Sequence, residues 1–260
     1  MRILLTNDDG IYAPGLRALR HELLKIGEVI VVAPATEQSA VGHSITLLTP
    51  LLTQEVFDEN GKRFGWAVEG KPADCVKLAL TELLTEPPDL VVSGINAGSN
   101  AGINCIYSGT VAAAIEGAFF NITSVAVSLE YDKPVNLRFP RAAELSLNVI
   151  RQLLERRPPR ASLFNVNLPS LDKGDPHGIR VVPQGLLRYE ESYDRRTDPR
   201  GRTYFWITPD LHCPEHGADT DVAGLAEHFI TVTPLKFDLT HAERLQEMRK
   251  WDWRLEEPQL

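Results

Sequence analysis

The sequence is short of several things, and each shortage removes a class of function. It has 3 cysteines in 260 residues, Cys75, Cys105 and Cys213, widely spaced and with no Cys-x-x-Cys pair. An odd, scattered set excludes a disulfide framework and a thiolate zinc centre, and it suits a reducing compartment. Positive charge is in deficit: 27 Lys and Arg face 35 Asp and Glu, a formal net charge of -8. A surface of that sign repels a phosphate backbone, so no large nucleic acid is expected as a partner, although one phosphate can be held where a cation and backbone dipoles are focused. No uninterrupted apolar run reaches the length of a membrane span, so no membrane partner is expected. Acidic residues appear within MRILLTNDD, before a signal-peptide core could form, so a cytoplasmic location is expected. Repeats and low-complexity tracts are absent as well.

Familiar cofactor and hydrolase signatures are also missing. No Gly-x4-Gly-Lys-[Ser/Thr] occurs, which excludes a P-loop. The first apolar run is followed by Asn7-Asp8-Asp9-Gly10 rather than a Gly-x-Gly-x-x-Gly turn, which disfavours nicotinamide binding. There is no Gly-x-Ser-x-Gly elbow, so no serine nucleophile is placed in that way.

The composition that remains, 43% hydrophobic and 24% charged, is that of an ordinary globular protein. Short apolar runs alternate with amphipathic stretches. Residues 2–6, 28–34, 89–93, 122–128 and 162–168 read as strands. Residues 15–26 place Leu16, Leu19, Leu23 and Ile26 on one helical face, and helices are predicted after Pro72, over 110–119 and over 138–156. Strands that are apolar on both faces, alternating with helices, predict an α/β fold with a mostly parallel sheet covered on both sides. Residues 46–69 interrupt this order as a small antiparallel excursion. The texture changes near residue 184, dividing a core over 1–184 from an extension over 185–260. In the extension, residues 189–207 read as two extended arms around the turn Asp198-Pro199-Arg200-Gly201. A helix near 219–226, a returning strand over 228–234 and a helix from Thr240 follow.

Ligands of open parallel sheets bind beyond the carboxyl ends of the strands. Three such ends are rich in oxygen-bearing side chains: Asp8 and Asp9 after the first, Glu37, Gln38 and Ser39 after the second, and residues 94–100 after the third, with Asn96 and Asn100. Two adjacent carboxylates repel each other unless a divalent cation lies between them. Asp8, Asp9, Ser39 and Asn96 form a hard oxygen set that favours magnesium, manganese or calcium over zinc or copper. Ser108-Gly109-Thr110 opens a helix directly after a Gly/Asn-rich loop, the arrangement that offers hydroxyls and free N–H groups to a phosphate. Together these point to metal-assisted attack of water on phosphorus, with Asp8, Asp9 and Asn96 as catalytic residues. Whether Asp8 or Asp9 orients the water stays open.

The segments LLTNDDG, APATEQSAVGHSIT, VEGKPADCV, VVSGINAGSN with YSGTVAAAIEG, and FITVTPL occur in that order over roughly residues 1–235 and resemble the SurE family, the stationary-phase survival proteins. The resemblance implies a Rossmann-like three-layer core and a C-terminal hairpin and helix used to form a homodimer or homotetramer. It implies one magnesium or manganese ion per subunit at Asp8, Asp9, Ser39 and Asn96, and substrate phosphate at the Asn96 loop and at Ser108, Gly109 and Thr110. It implies hydrolysis of nucleoside 5'-monophosphates, with 3'-monophosphates and short polyphosphate as further substrates. A broader phosphomonoesterase and a non-catalytic nucleotide sensor are the alternatives. Ala40 stands where the family pattern commonly has glycine, which narrows the backbone angles open to the Ser39 loop.

Four features compete for attention. His43 follows Ser39 by four residues and could serve as a general acid, or simply bond to backbone. His212-Cys213-Pro214-Glu215-His216 resembles a zinc motif, but Pro214 prevents helical alignment of the histidines. Arg195, Arg196, Arg200 and Arg202 crowd the hairpin and could attract an anionic substrate or a partner chain, although a solvated face is the preferred reading. Trp251 and Trp253 in a charged terminal helix are expected to dock on a core or a sister subunit.

Overall fold

The computed structural model describes residues 1–131, 137–156, 158–186, 191–209 and 219–254. The strand β1 (Arg2–Thr6) leads through a turn to α1 (Pro14–Leu23) and then β2 (Glu28–Pro34). Next come β3 (Thr53–Phe57), β4 (Arg63–Val68) and α2 (Pro72–Leu78), which runs on into a π-helical turn over Ala79–Leu83. They are followed by β5 (Leu90–Ala97), the single turn α3 (Asn104–Tyr107), α4 (Gly109–Phe119), β6 (Thr123–Leu129), α5 (Phe139–Glu155), β7 (Leu163–Leu168) and β8 (Ile179–Val181). The remaining elements are β9 (Glu191–Thr197), β10 (Thr203–Pro209), α6 (Asp221–Ala226), β11 (Ile230–Leu235) and α7 (Ala242–Met248).

One nine-stranded sheet runs β3-β4-β2-β1-β5-β6-β7-β11-β8. All its pairings are parallel except β3 with β4 and β7 with β11. The apolar runs are continuous because both faces are covered. Ile3, Leu5, Val31 and Val92 pack with Leu16, Leu19 and Leu23 of α1 and with Ala143, Leu147 and Ile150 of α5. The alternate positions Leu4, Val32 and Val91 face Cys75 and Val76 of α2 and Ala113 of α4. This period-2 partition of one strand between two helical layers makes the three-layer, Rossmann-like architecture. Proline occupies the first turn of α1, α2 and α5, where its missing N–H costs nothing.

The antiparallel excursion expected over 46–69 forms as the β3–β4 pair, and it joins the main sheet at its edge. β4 pairs in parallel with β2, and only β3 is antiparallel, at the edge. The returning strand expected within 185–260 lies inside the sheet as β11, between β7 and β8. It is buried there because its Ile230 and Val232 complete the core under α5. The hairpin forms as a two-stranded ribbon of its own, β9 with β10, closed by Asp198, whose Oδ1 accepts the N–H groups of Arg200 and Arg202 at 2.9 Å. The terminal helix begins at Ala242 instead of Thr240 because His241 caps it, Nδ1 accepting the Arg244 N–H. Trp251 and Trp253 lie against each other, 5.3 Å between ring centroids, and remain exposed. Residues 210–218, including His212, Cys213 and His216, lie outside the described residues.

Candidate active site

Because β2, β1 and β5 are adjacent and parallel, their carboxyl ends share one edge of the sheet. There they open onto a cleft of about 450 Å3. Asp8, Asp9, Glu37, Ser39, Asn96 and Ser108 line its polar end. The cation set read from the sequence is therefore brought together on one surface, Asp8 and Asp9 from the tip of β1, Ser39 from beyond β2 and Asn96 from the end of β5.

Asn96 reaches the cleft by a route the sequence reading did not anticipate. β5 does not stop at residue 93; it continues to Ala97, and its register with β6 slips between Ser93 and Asn96. A bulge of that kind re-aims the side chains beyond it. Gly94 permits it: its φ is +136°, and a Cβ there would lie 2.2 Å from the Val127 carbonyl oxygen. The Asn96 Nδ2 donates to the Gly98 carbonyl at 2.7 Å, which leaves Oδ1 as the atom able to serve a cation or a water.

Asp8 is the most tightly held group. Its Oδ1 accepts the Thr110 hydroxyl at 2.5 Å, and its Oδ2 accepts the Thr110 N–H at 3.1 Å. Thr110 is fully buried. Of the expected phosphate-binding tripeptide, only Ser108 lines the cleft. Thr110 spends both of its donors on Asp8, and Gly109 packs on it, since a Cβ at 109 would come 2.9 Å from the Asp8 Cβ. The start of α4 thus orients the Asp8 carboxylate through Thr110. Ser108 is the N-cap: its Oγ accepts the Val111 N–H at 3.1 Å, and its hydroxyl proton stays available to an acceptor in the cleft.

Asp9 has less support. Its Oδ2 accepts the Ala97 N–H at a long 3.3 Å. Burial, reinforced by the charges of Asp8 and Glu37, pushes its carboxyl up to about 6. Burial also raises the Asp8 carboxyl, against the opposing hydrogen bonds from Thr110. Glu37, a third carboxylate, faces the same cleft and accepts the Ser39 hydroxyl at 2.5 Å. Among the described residues no lysine, arginine or histidine lines the cleft. Negative charge gathered in a concave site without a cationic side chain is the electrostatic setting that favours a divalent cation. Among the described residues no group of three His, Cys, Asp or Glu side chains is disposed to hold a metal. The carboxylate pair would therefore depend on the neutral oxygens of Ser39 and Asn96, and the all-oxygen set suits magnesium or manganese.

The rim carries residues the sequence reading missed. Tyr107, Tyr131 and Asn104 line the cleft; Tyr107 opens the YSGTVAAAIEG segment and Asn104 lies in the Gly/Asn-rich loop before it, but the sequence reading assigned neither of them, nor Tyr131, a role. Asn100 is locked from beneath: its N–H donates to Asn167 Oδ1 at 2.7 Å, its Nδ2 to Ser128 Oγ at 2.8 Å, and its carbonyl accepts Asn165 Nδ2 at 2.8 Å. The one sequence signal was the alternation of Asn165 and Asn167 in an otherwise apolar strand, polar positions that a buried face tolerates only when bonded. Asp221 adds a clamp from the C-terminal side, accepting the N–H groups of Gly102 at 2.9 Å and Gly185 at 2.8 Å. His43 is not among the residues lining the cleft.

Comparison with known proteins places the chain in a family. The family model described as Survival protein SurE matches residues 3–191. A relative from Rhodopirellula baltica named 5'-nucleotidase SurE is 54% identical over 258 residues, covering 98% of this chain and 100% of its own. One of the same name from Syntrophobacter fumaroxidans is 46% identical over 252 residues, covering 97% and 100%. The crystal structure of the SurE protein from Aquifex aeolicus superposes with a TM-score of 0.83 at 35% identity, covering 96% of this chain and 98% of that one. With the matched model spanning most of the core and the relatives aligned from end to end, the chain belongs to the SurE family.

Proposed function

We propose that this chain is a divalent-metal-dependent phosphomonoesterase acting on nucleoside 5'-monophosphates. The observation that carries the reading is the convergence of Asp8, Asp9, Ser39 and Asn96 from three strand tips on one cleft that has no cationic side chain among the described residues. The names of the relatives supply the substrate class.

Asp8, Asp9, Ser39 and Asn96 would hold one magnesium or manganese ion. Bound there, the ion supplies Lewis-acid polarisation of the phosphoryl group and a water of lowered pKa. The protein's own share is positional and electrostatic. Thr110 fixes both oxygens of Asp8, so that carboxylate is oriented before any ligand arrives. Asp9, whose carboxylate accepts one long hydrogen bond, is the less constrained of the two and would orient a water and take its proton. The Ser108 hydroxyl and the Asn96 loop face the place a phosphoryl oxygen would take. Tyr107 and Tyr131 on the rim offer apolar surface to the nucleoside.

The exposed Tyr193, Phe205 and Trp206 of the β9–β10 ribbon fit the expected use of the C-terminal region in a homodimer or homotetramer. Light scattering on Phe205→Ser and Trp206→Ser variants tests it: an unchanged mass removes that role. No helix among the described residues is long and apolar enough to cross a membrane.

The deciding experiment for the activity is phosphate release from a panel of nucleoside 5'- and 3'-monophosphates, sugar phosphates and short polyphosphates, with manganese, with magnesium and with chelator. Release that is fastest on 5'-monophosphates and abolished by chelator is the expected result. Equal rates across the panel mean a broad phosphatase, binding without turnover means a sensor, and chelator-resistant release removes the metal from the scheme.

A further inference from the structure

His43 lies on the Ser39 loop but turns away from the cleft, into α4. Its Nε2 is 2.9 Å from Glu116 Oε2, and its ring stacks on Phe119 with centroids 5.5 Å apart and planes 17° from parallel. Glu116 is buried, and its other oxygen meets Lys77 Nζ of α2 at 3.2 Å. Burial opposes ionisation of Glu116, but the bonds from His43 and Lys77 outweigh it and hold the carboxyl below its usual range. Glu116 is therefore an anion, and His43 donates to it.

The helix that carries Glu116 is the one that begins at Ser108 and orients Asp8 through Thr110. The His43–Glu116 bond thus joins the two walls of the cleft: the loop bearing Glu37 and Ser39, and the helix that holds Asp8. That loop needs such ties. Ala40 and Gly42 both sit in the left-handed region, φ +53° and +54°, a conformation an alanine does not hold by preference. Backbone ties also pin the segment, the Gln38 N–H donating to the Asp8 carbonyl at 2.8 Å among them. Lys71 Nζ donates to Gln38 Oε1 at 2.7 Å, the Gly42 N–H donates to the Tyr107 carbonyl at 2.9 Å, and the Thr46 N–H donates to Asp74 Oδ1 at 3.0 Å. Between Gly42 and Thr46, the His43 side chain bonds to α4 through Glu116.

We infer that His43 is a positioning residue, which through its bond to Glu116 holds the Ser39 oxygen in register with Asp8 and Asp9. It does not act as the general acid. This inference rests on the reading of Ser39 as part of the cation site.

The test is manganese binding to the full chain, read from the loss of the free-ion EPR signal, for the parent and for His43→Ala, His43→Gln, His43→Phe and Ser39→Ala. It is paired with kcat and KM at saturating manganese on a nucleoside 5'-monophosphate and on p-nitrophenyl phosphate. Loss of an outer hydrogen bond that orients a ligand weakens metal binding by about 10–100-fold, so His43→Ala should raise the manganese Kd by about tenfold. Its kcat at saturating metal should fall by no more than about twofold on both substrates, since the chemistry is intact once the ion is bound. Glutamine, which can donate to Glu116, should restore most of the affinity, and phenylalanine, which keeps only the stack, should not. An unchanged Kd in His43→Ala, beside a weakened Ser39→Ala, overturns the inference and spares the reading of Ser39. An unchanged Kd in Ser39→Ala overturns both. A large loss of kcat on the nucleotide that is absent with the activated p-nitrophenyl leaving group makes His43 a general acid, and overturns the positioning role.

Discussion

Asp9→Asn should make the metal-free protein more stable while abolishing its activity. Asp9 is pushed from an ordinary carboxylate value of 3.8 up to about 6 by burial, by Asp8 and by Glu37. An acid whose folded pKa is raised stabilises the fold only while protonated. Its contribution is complete below the unfolded value and is lost as pH rises through about 6. Roughly two pKa units correspond to about 3 kcal/mol, and because Asp9 retains solvent contact we discount this to about 1–2 kcal/mol at pH 7.5. Asparagine removes the charge and keeps an oxygen for the Ala97 N–H, so it escapes the penalty. For a chain of this length the gain amounts to about 2–8 °C in melting temperature. The assay is thermal unfolding in chelator at a series of pH values. The advantage of the variant should be greatest above pH 7 and shrink steadily as pH falls through about 6 toward 3.8. Manganese should reverse the order, since a ligand at 100 times its Kd adds about 2.7 kcal/mol to the parent and little to the variant. A variant that melts below the parent in chelator at pH 7.5, or a difference that does not change with pH, would refute the picture of two uncompensated carboxylates.

Three further outcomes follow from the same geometry. Thr110→Val removes the hydroxyl bonded to buried Asp8 and should cost about 1.5–3 kcal/mol in thermal unfolding. Thr110→Ser, which keeps the hydroxyl, should cost less than about 1 kcal/mol, and equal losses in the two variants would separate the effect from that bond. Ala40→Gly relieves a left-handed backbone worth about 1–2 kcal/mol but gives back about 0.4–1 kcal/mol to the more flexible unfolded chain, so denaturant titration should show a small net gain. Burial pushes the Cys105 thiol up to about 12, so peptide mass mapping after alkylation at pH 8 should find it unmodified in the native protein and labelled in urea. Rapid native labelling would place it outside the core.

Much of the central layer was legible locally. The runs at 2–6 and 28–34 form strands with the predicted bounds, because apolar residues on both faces leave a strand few alternatives. Leu16, Leu19 and Leu23 are buried as their spacing requires. The elements that were misplaced depend on partners distant in the chain. The sequence pattern ends β5 at residue 93, since Gly94 and Asn96 have loop character, and only pairing with β6 carries the strand past them. The strand Ile230–Leu235 looked like part of an appendage, and only its pairing with β7 and β8 puts it in the core.

The candidate site divides in the same way. Residue type and order along the chain were enough to name Asp8, Asp9, Ser39 and Asn96 as one oxygen-rich set, because parallel strands must present their carboxyl ends together and adjacent carboxylates call for a counter-charge. Tertiary structure alone decided what each neighbour does. It turned Thr110 onto Asp8 at a separation of 102 residues, sent His43 to Glu116 across 73, and fastened the Gly102 loop to Asp221 across 119. Those bonds are set by how helices and loops settle on the sheet edge, and no local pattern of residues encodes the distance between them.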